Sequence, residues 1–357
     1  MSTSAEENTG TTPVREGLGF DEASLAGWMQ ANCEGYAGPL KVEQFKGGQS
    51  NPTYALSTPA ARYVLRRKPP GQLLPGAHDV LREARVQQAL GTTGFPVAPI
   101  MGVCRDDSVI GTQFYVMALV EGRIFWDSAF EEVPYDQRHR YFDAMNATIA
   151  QLHQVDYQAI GLGDYGKPGN YFARQISRWS RQYAEDPEAG RDANMDVLAE
   201  WLPTAIPEGD ETSIVHGDFR CDNMVFHPEL PQVIAVLDWE LSTLGHPLAD
   251  FSYHCMSWHI DASQFRGIGG LDLAALGIPS EAEYIRRYCE RTGFATPEAL
   301  APDWSFYMAY NMFRIAAILQ GIAKRVEAGT ASSEQARANG ARARPMAELA
   351  WKFAQKS

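Results

Sequence analysis

The sequence predicts an α+β chain: a small N-terminal region of short strands with one inserted helix, then a larger, mainly helical region. Three observations carry this. Between residues 40 and 122, short β-branched and aromatic runs are punctuated by glycine and proline. After Glu121-Gly122 the apolar period changes, and Tyr141, Met145, Thr148, Ile149 and Leu152 recur at three and four, which makes one helical face. A strand-rich island between Ser213 and Trp239 then interrupts the helices.

Residues 1–15 open polar and acidic, with neither the basic start nor the apolar run of a signal peptide, and read as a disordered tail. A short strand follows at 42–46, then the turn-rich Gly47-Gly48-Gln49-Ser50-Asn51, then a hairpin pair at 53–56 and 62–66. A helix pattern runs from 79 to 90 and is stopped by Gly91 and Gly94. Strands around 97–103 and 113–120 lead into a hinge at 117–123. The sequence therefore divides into an N-terminal lobe at 16–122 and a second lobe at 123–357. In the second lobe, the short apolar runs 213–215 and 233–237 each end in polar residues. A long helix is expected from 304 to about 328, with a stripe through Trp304, Tyr307, Met308, Asn311, Ile315, Ile318 and Ile322 packed in the core.

Composition removes several function classes. The 357 residues are 45% AVILMFWYC and 21% charged, too apolar for a disordered chain, and no run approaches a membrane span. A net charge of −13 repels phosphodiester backbones, so neither nucleic acid nor a membrane is expected as a partner. The five scattered cysteines form no C-x-x-C pair, which suggests neither a zinc ribbon nor a disulfide framework and fits a reducing cytoplasm. His246, His254, Cys255 and His259 match no familiar zinc-ligand spacing.

The chemistry concentrates in His216-Gly217-Asp218-Phe219-Arg220-Cys221-Asp222-Asn223. An apolar strand delivers an Asp, and an Asn follows five positions later. Fifteen residues beyond Asn223, a second apolar run ends in Asp238-Trp239-Glu240. Two carboxylates and a carboxamide at strand ends make an oxygen-rich site suited to a hard cation such as Mg²⁺. Phosphoryl transfer needs such a set: one Asp orients the attacking hydroxyl and takes its proton, while the other oxygens hold metal on the triphosphate. No Walker-type motif and no full G-x-G-x-x-G is present, so P-loop and dinucleotide readings fail. In the first lobe, strand alternation turns Arg66 and Arg67 to opposite faces, so at most one can serve a cleft, and the Arg66-Arg67-Lys68 run could equally be a solvated edge.

With these residues in hand, the chain resembles the aminoglycoside phosphotransferase and choline kinase group of the protein-kinase-like fold over roughly residues 40 to 330. Within that group it looks most like the phosphotransferase-like domain of certain acyl-CoA dehydrogenase family members, here free-standing. The phrases that carry this are KGGQSN at 46–51, VLRRKPPG at 64–71, the His216 motif, LDWE at 237–240, and NMFRIAAILQGIAKR at 311–325. The resemblance implies a two-lobed fold and an ATP- and Mg²⁺-dependent kinase of a small hydroxylated molecule. It makes Asp218 the catalytic base and Asn223 and Asp238 the metal ligands, with His216 structural. Gly217 stands where protein kinases usually carry Arg, so regulation through an activation-loop phosphate is not expected. Arg220 is a candidate for neutralising the transferred phosphoryl group.

For the nucleotide, the same resemblance selects Gly47, Gly48, Gln49, Ser50 and Asn51 at the glycine turn, Arg66 with its helix partner Glu83, and the hinge residues Met117 and Leu119. Arg at position 66 replaces the Lys common elsewhere in the fold. Asp250 is expected to brace the catalytic loop, and Glu240 either supports the metal or starts a helix. The dehydrogenase-linked relatives imply a hydroxyacyl-CoA or another anionic hydroxy compound as acceptor. An aminoglycoside acceptor and a non-catalytic nucleotide-binding module are the alternatives. Charge favours an anion: residues 261–357 carry twelve basic and ten acidic side chains against the strongly acidic remainder. Arg314 and Arg325, three helical turns apart, are therefore candidate acceptor-binding residues.

Overall fold

In the computed structural model, the described residues are 9–46, 51–69, 79–185, 191–261, 267–327, 338 and 340–356, with the side chains of 324–327 excepted. They divide into two compact units. The first takes the chain up to Trp126 together with Gln158–Leu162 and Cys221–Ser242; the second takes Asp127–Tyr157, Gly163–Arg220 and the chain from Thr243 onward.

The first unit is built on an antiparallel sheet of order β1-β2-β3-β4-β6-β5. Its strands are β1 (Thr11–Thr12), β2 (Lys41–Phe45), β3 (Thr53–Ser57), β4 (Arg62–Arg67), β5 (Ile100–Cys104) and β6 (Phe114–Ala118). Period-two alternation gives this sheet two buried faces. Tyr63, Leu65, Phe114 and Val116 pack with Leu25 and Met29 of α1 (Glu22–Asn32). Val64, Tyr115 and Met117 pack instead with Val80 and Ala84 of α2 (Val80–Gly91), whose first turn is capped by the Asp79 carboxylate. Burying each such Leu or Val contributes roughly 1.5–3 kcal/mol. Part of the expected tail is structured: Thr11 and Thr12 pair with Phe45 and Gln44, and the Arg15 amide donates to the Gln44 side chain at 3.0 Å.

The unit also contains β8 (Met224–Phe226) and β9 (Val233–Val236), so the division at residue 122 does not describe it. Long-range pairing is the reason. Arg123 and Phe226 exchange two backbone hydrogen bonds of 2.8 Å, and the Val236 amide donates to Pro96 at 2.9 Å. Gly122 permits this approach, since a Cβ there would lie 2.2 Å from the Phe226 carbonyl oxygen.

The second unit is mainly helical: α3 (Tyr135–His153), α4 (Tyr171–Ala184), α5 (Ala193–Trp201), α6 (Pro247–Cys255), α7 (Glu281–Thr292), α8 (Pro297–Leu300), α9 (Trp304–Glu327) and α10 (Ala343–Ala354). The predicted face of α3 is buried. Of the stripe on α9, Tyr307, Met308, Asn311 and Ile315 are buried but Trp304, Ile318 and Ile322 are only half-buried, while Phe306 to Ala317 are buried without interruption, as in a helix at the centre of its unit. Strands β7 (Ser213–Val215) and β10 (Thr243–Gly245) pair beside α6, which is buried at every position.

Candidate active site

In the first unit, β4 presents Arg66 on the α2 face and Arg67 on the α1 face. Neither is a solvated edge. Arg67 is buried over the rings of Phe20 and Tyr54. Arg66 is 8% exposed; its Nε lies 2.9 Å from the Glu83 carboxylate, and Nη2 lies 3.0 Å from Asp238 and 3.9 Å from Glu240. Glu83, almost fully buried on α2, also accepts from the Asn51 amide at 2.7 Å and the Tyr115 hydroxyl at 3.1 Å. Gln87, one turn further along α2, donates to that same hydroxyl at 3.2 Å. Burial pushes the Glu83 carboxyl up, with Arg66 opposing. For Arg66 burial works against the charge, but Glu83, Asp238 and Glu240 more than offset it, so the guanidinium stays charged.

The β8–β9 ladder places the two expected metal ligands side by side. Met224 pairs with Val236, and the Leu237 amide donates to the Asn223 carbonyl at 2.8 Å, so Asn223 and Asp238 sit at the same end of the two strands. Asp238 adopts φ 64°, which ends β9 sharply and starts the short helical turn Trp239–Leu241. Glu240 lies in that turn. This paired carboxylate and carboxamide fit a Mg²⁺ ion by donor chemistry, because hard oxygens suit a hard cation.

In the second unit, residues 216–219 are held by α6. Asp250 accepts the His216 amide at 2.7 Å and the Gly217 amide at 2.8 Å, and lies 3.3 Å from His153 Nε2. This is the brace expected of it. Burial raises the Asp250 carboxyl, but His153, His216 and these amides hold it below its ordinary value. Gly217 takes φ 84°, a left-handed conformation in which an Arg would be strained. The Asp218 amide donates to His216 Nδ1 at 3.2 Å, which makes His216 a loop-shaping residue. Arg220 grips the Asp218 carboxylate at both oxygens, Nε to Oδ1 at 3.0 Å and Nη2 to Oδ2 at 3.2 Å. Tyr253 donates its hydroxyl to Oδ1. Burial would raise Asp218, yet Arg220, Tyr253, His216 and Arg314 together hold it below its ordinary value.

Two of the expected binding residues are buried. Arg314 is 9% exposed, its Nη2 donates to the Gly217 carbonyl at 2.8 Å, and its guanidinium lies 5.3 Å from the centroid of the Tyr253 ring. It reaches the loop 216–219 because α9 runs through the core of its unit. Asn51 is likewise buried and engaged with Glu83. Met117 lies within β6, and the Leu119 amide donates to the Arg62 carbonyl at 3.1 Å. Gly47, Gly48, Gln49 and Ser50, and the side chain of Arg325, lie outside the described residues. Of the histidines weighed for zinc, His246 faces Glu211, His254 contacts Phe219 and Tyr284, and His259 pairs with Glu281. Sequence reasoning missed Tyr115 and Tyr253. Tyr253 stands three positions after Asp250, on the same helical face, and that spacing was the available signal.

The phosphotransferase enzyme family model matches residues 41–302. The chain belongs to this phosphotransferase family. Mouse acyl-CoA dehydrogenase family member 10 is 42% identical across 97% of the chain, although the chain spans only 32% of that relative's length. A Ralstonia eutropha protein provisionally named an aminoglycoside phosphotransferase superposes with a TM-score of 0.86 at 56% identity, covering 95% of this chain and 99% of its own. Choline kinase from Cryptosporidium parvum shares the fold at a TM-score of 0.64 and 11% identity, over 94% of this chain and 96% of its own. The phosphotransferase thus has the two-lobed, protein-kinase-like α+β fold. Among its described residues, no helix is long and apolar enough to cross a membrane.

Proposed function

We propose that the chain is an ATP-dependent kinase that transfers the γ-phosphoryl group to a hydroxyl of a small anionic metabolite, foremost a hydroxyacyl-CoA. The observation that carries this is Asp218: an ionised carboxylate gripped by Arg220 and Tyr253, on a loop pinned by Asp250, in a family of phosphotransferases. In this reading Asp218 aligns the acceptor hydroxyl and takes its proton. The acceptor oxygen bonds to the γ-phosphorus as the bond to the β–γ bridging oxygen breaks, and ADP leaves. Arg220 neutralises charge on the transferred group, and Arg66, set by Glu83, pairs with the nucleotide phosphates. Asn223 and Asp238 would hold Mg²⁺, which when bound neutralises charge on the triphosphate.

The acceptor class rests on the likeness to acyl-CoA dehydrogenase family members. The name given to the Ralstonia protein favours an aminoglycoside as the second reading. We place the enzyme in the cytoplasm, in keeping with its five free cysteines. ADP formation from Mg·ATP, measured over hydroxy acids, their CoA esters and kanamycin, separates the readings. Transfer to hydroxyacyl-CoA esters is expected. Asp218→Ala should lose about a hundred- to ten-thousandfold in turnover while still binding nucleotide, and Asp238→Ala should weaken Mg²⁺-dependent nucleotide binding. Transfer to kanamycin alone would overturn the acceptor class, and full turnover in Asp218→Ala would overturn the assignment of the base.

A further inference from the structure

We propose that Tyr253 is a positioning residue for phosphoryl transfer: its hydroxyl locks the Asp218 carboxylate in the orientation that receives the acceptor hydroxyl. The inference rests on the kinase reading above and goes beyond it by assigning a role to a residue from another segment. Asp250 and Tyr253 lie one turn apart on α6 and share a face. Asp250 fixes the backbone of the loop through the His216 and Gly217 amides. The next side chain after Tyr253 completes the hold. The Phe219 carbonyl can only accept, so His254 donates to it from Nδ1 at 3.1 Å and takes the Tyr284 hydroxyl hydrogen at Nε2, 2.8 Å away. One helix, α6, thus holds residues 216, 217 and 219 through their backbone.

Tyr253 is the one member of this set that touches the Asp218 side chain, and its hydroxyl shares Oδ1 with Arg220 Nε. The ring is held in turn by Arg314, which stacks over it and bonds the Gly217 carbonyl. Both backbone groups of Gly217 are thus engaged, its amide by Asp250 and its carbonyl by Arg314. Among the described residues, Arg220, Tyr253, His216 and Arg314 face Asp218, and each of these four favours the ionised carboxylate. Such a carboxylate is a weak base and a good aligning acceptor. That suits a loose transition state, in which the proton moves late. Arg220 lies on the same loop and moves with it. Tyr253 lies on a buried helix and supplies an external reference for the carboxylate.

Tyr253→Phe tests this, because it keeps the ring and its stacking with Arg314 and removes only the hydroxyl. Phosphate release from Mg·ATP with water as the acceptor is the probe, beside a crystal structure of the variant. The expected result is a fall in kcat on the order of tenfold or more, an unchanged KM for ATP, and an Asp218 side chain rotated away from its wild-type position. A wild-type kcat with an unmoved carboxylate would overturn the proposal. Asp218→Ala is assayed in parallel. If that variant keeps full turnover, the kinase reading has failed; if it is inactive while Tyr253→Phe is not, only the role of Tyr253 has failed. Should the phenylalanine variant not fold, the wild-type chain labelled with ¹³Cγ-aspartate, with Asp218→Asn for assignment, supplies the second measurement. Asp218 should stay ionised below the ordinary Asp value of about 3.9; titration at or above it would overturn the proposal.

Discussion

The Arg66 cluster and the loop at 216–219 solve the same problem, holding a charged side chain in place, by opposite means. Arg66 is surrounded by side chains from scattered segments: Asn51 and Glu83, Tyr115 on β6, and Asp238 past the end of β9. Its hold is a network of side-chain charges. The loop is held mainly through its backbone, by consecutive turns of one buried helix. A side-chain network can be redesigned by changing both partners. A backbone group cannot be mutated away, so its partner has no compensating substitution.

The largest expected effect is therefore at Asp250. Asp250→Ala leaves two buried amides and His153 without their acceptor and should cost about 3–5 kcal/mol in urea unfolding, with no single second-site change restoring it. Recovery by a substitution at His153 would break the contrast, since it would show that the side chain and not the backbone dominates.

Arg66→Met comes next. It strands the buried Glu83 carboxylate and should cost roughly 3 kcal/mol. Here Arg66→Met combined with Glu83→Gln should recover much of the loss, because glutamine can still serve Asn51 and Tyr115, while nucleotide affinity stays impaired. A double-mutant cycle in the same unfolding assay measures this. Strict additivity of the two substitutions would show that the pair is not coupled.

The third effect, similar in size to the second, is a pH slope. Burial holds the His254 imidazole neutral, pushed down to about 4 from its ordinary 6.5. The unfolded chain takes up a proton as pH falls through 6.5, whereas the folded chain does so only near 4. Its contribution is thus complete above 6.5 and is lost as pH falls toward 4, by roughly 3 kcal/mol in all. His254→Gln should flatten stability against pH between 6.5 and 4.5, measured by urea midpoints. An unchanged slope would assign the proton uptake to another group, such as His246, which burial also shifts downward.

Much of the site could be read along the chain because it depends on local periodicity. The opposed facing of Arg66 and Arg67 follows from strand alternation, and the helix from Asp79 places Glu83 on the sheet side. Asp218 and Asp238 follow strand ends and Asn223 stands just before a strand, at readable spacings. The bracing role of Asp250 was also legible. Burial was harder to read: both arginines are buried because α1 and α2 cover the two faces of one sheet, and a basic run carries no sign of that cover.

By itself the sequence determined the strand-rich start, the helix from Asp79, the facing of β4 and the spacing of the 216–223 motif to Asp238, since these arise from backbone periodicity and turn chemistry over a few residues. It did not show the helices Glu22–Asn32, Tyr171–Ala184, Ala193–Trp201 or Glu281–Thr292. Only the tertiary structure decided that Cys221–Ser242 joins the first unit, that Tyr253 reaches Asp218, and that Arg314 bonds the Gly217 carbonyl. Those contacts join residues 35 to 140 positions apart. Their geometry is set by how buried elements close-pack in three dimensions, and no periodic pattern along the chain encodes that closure.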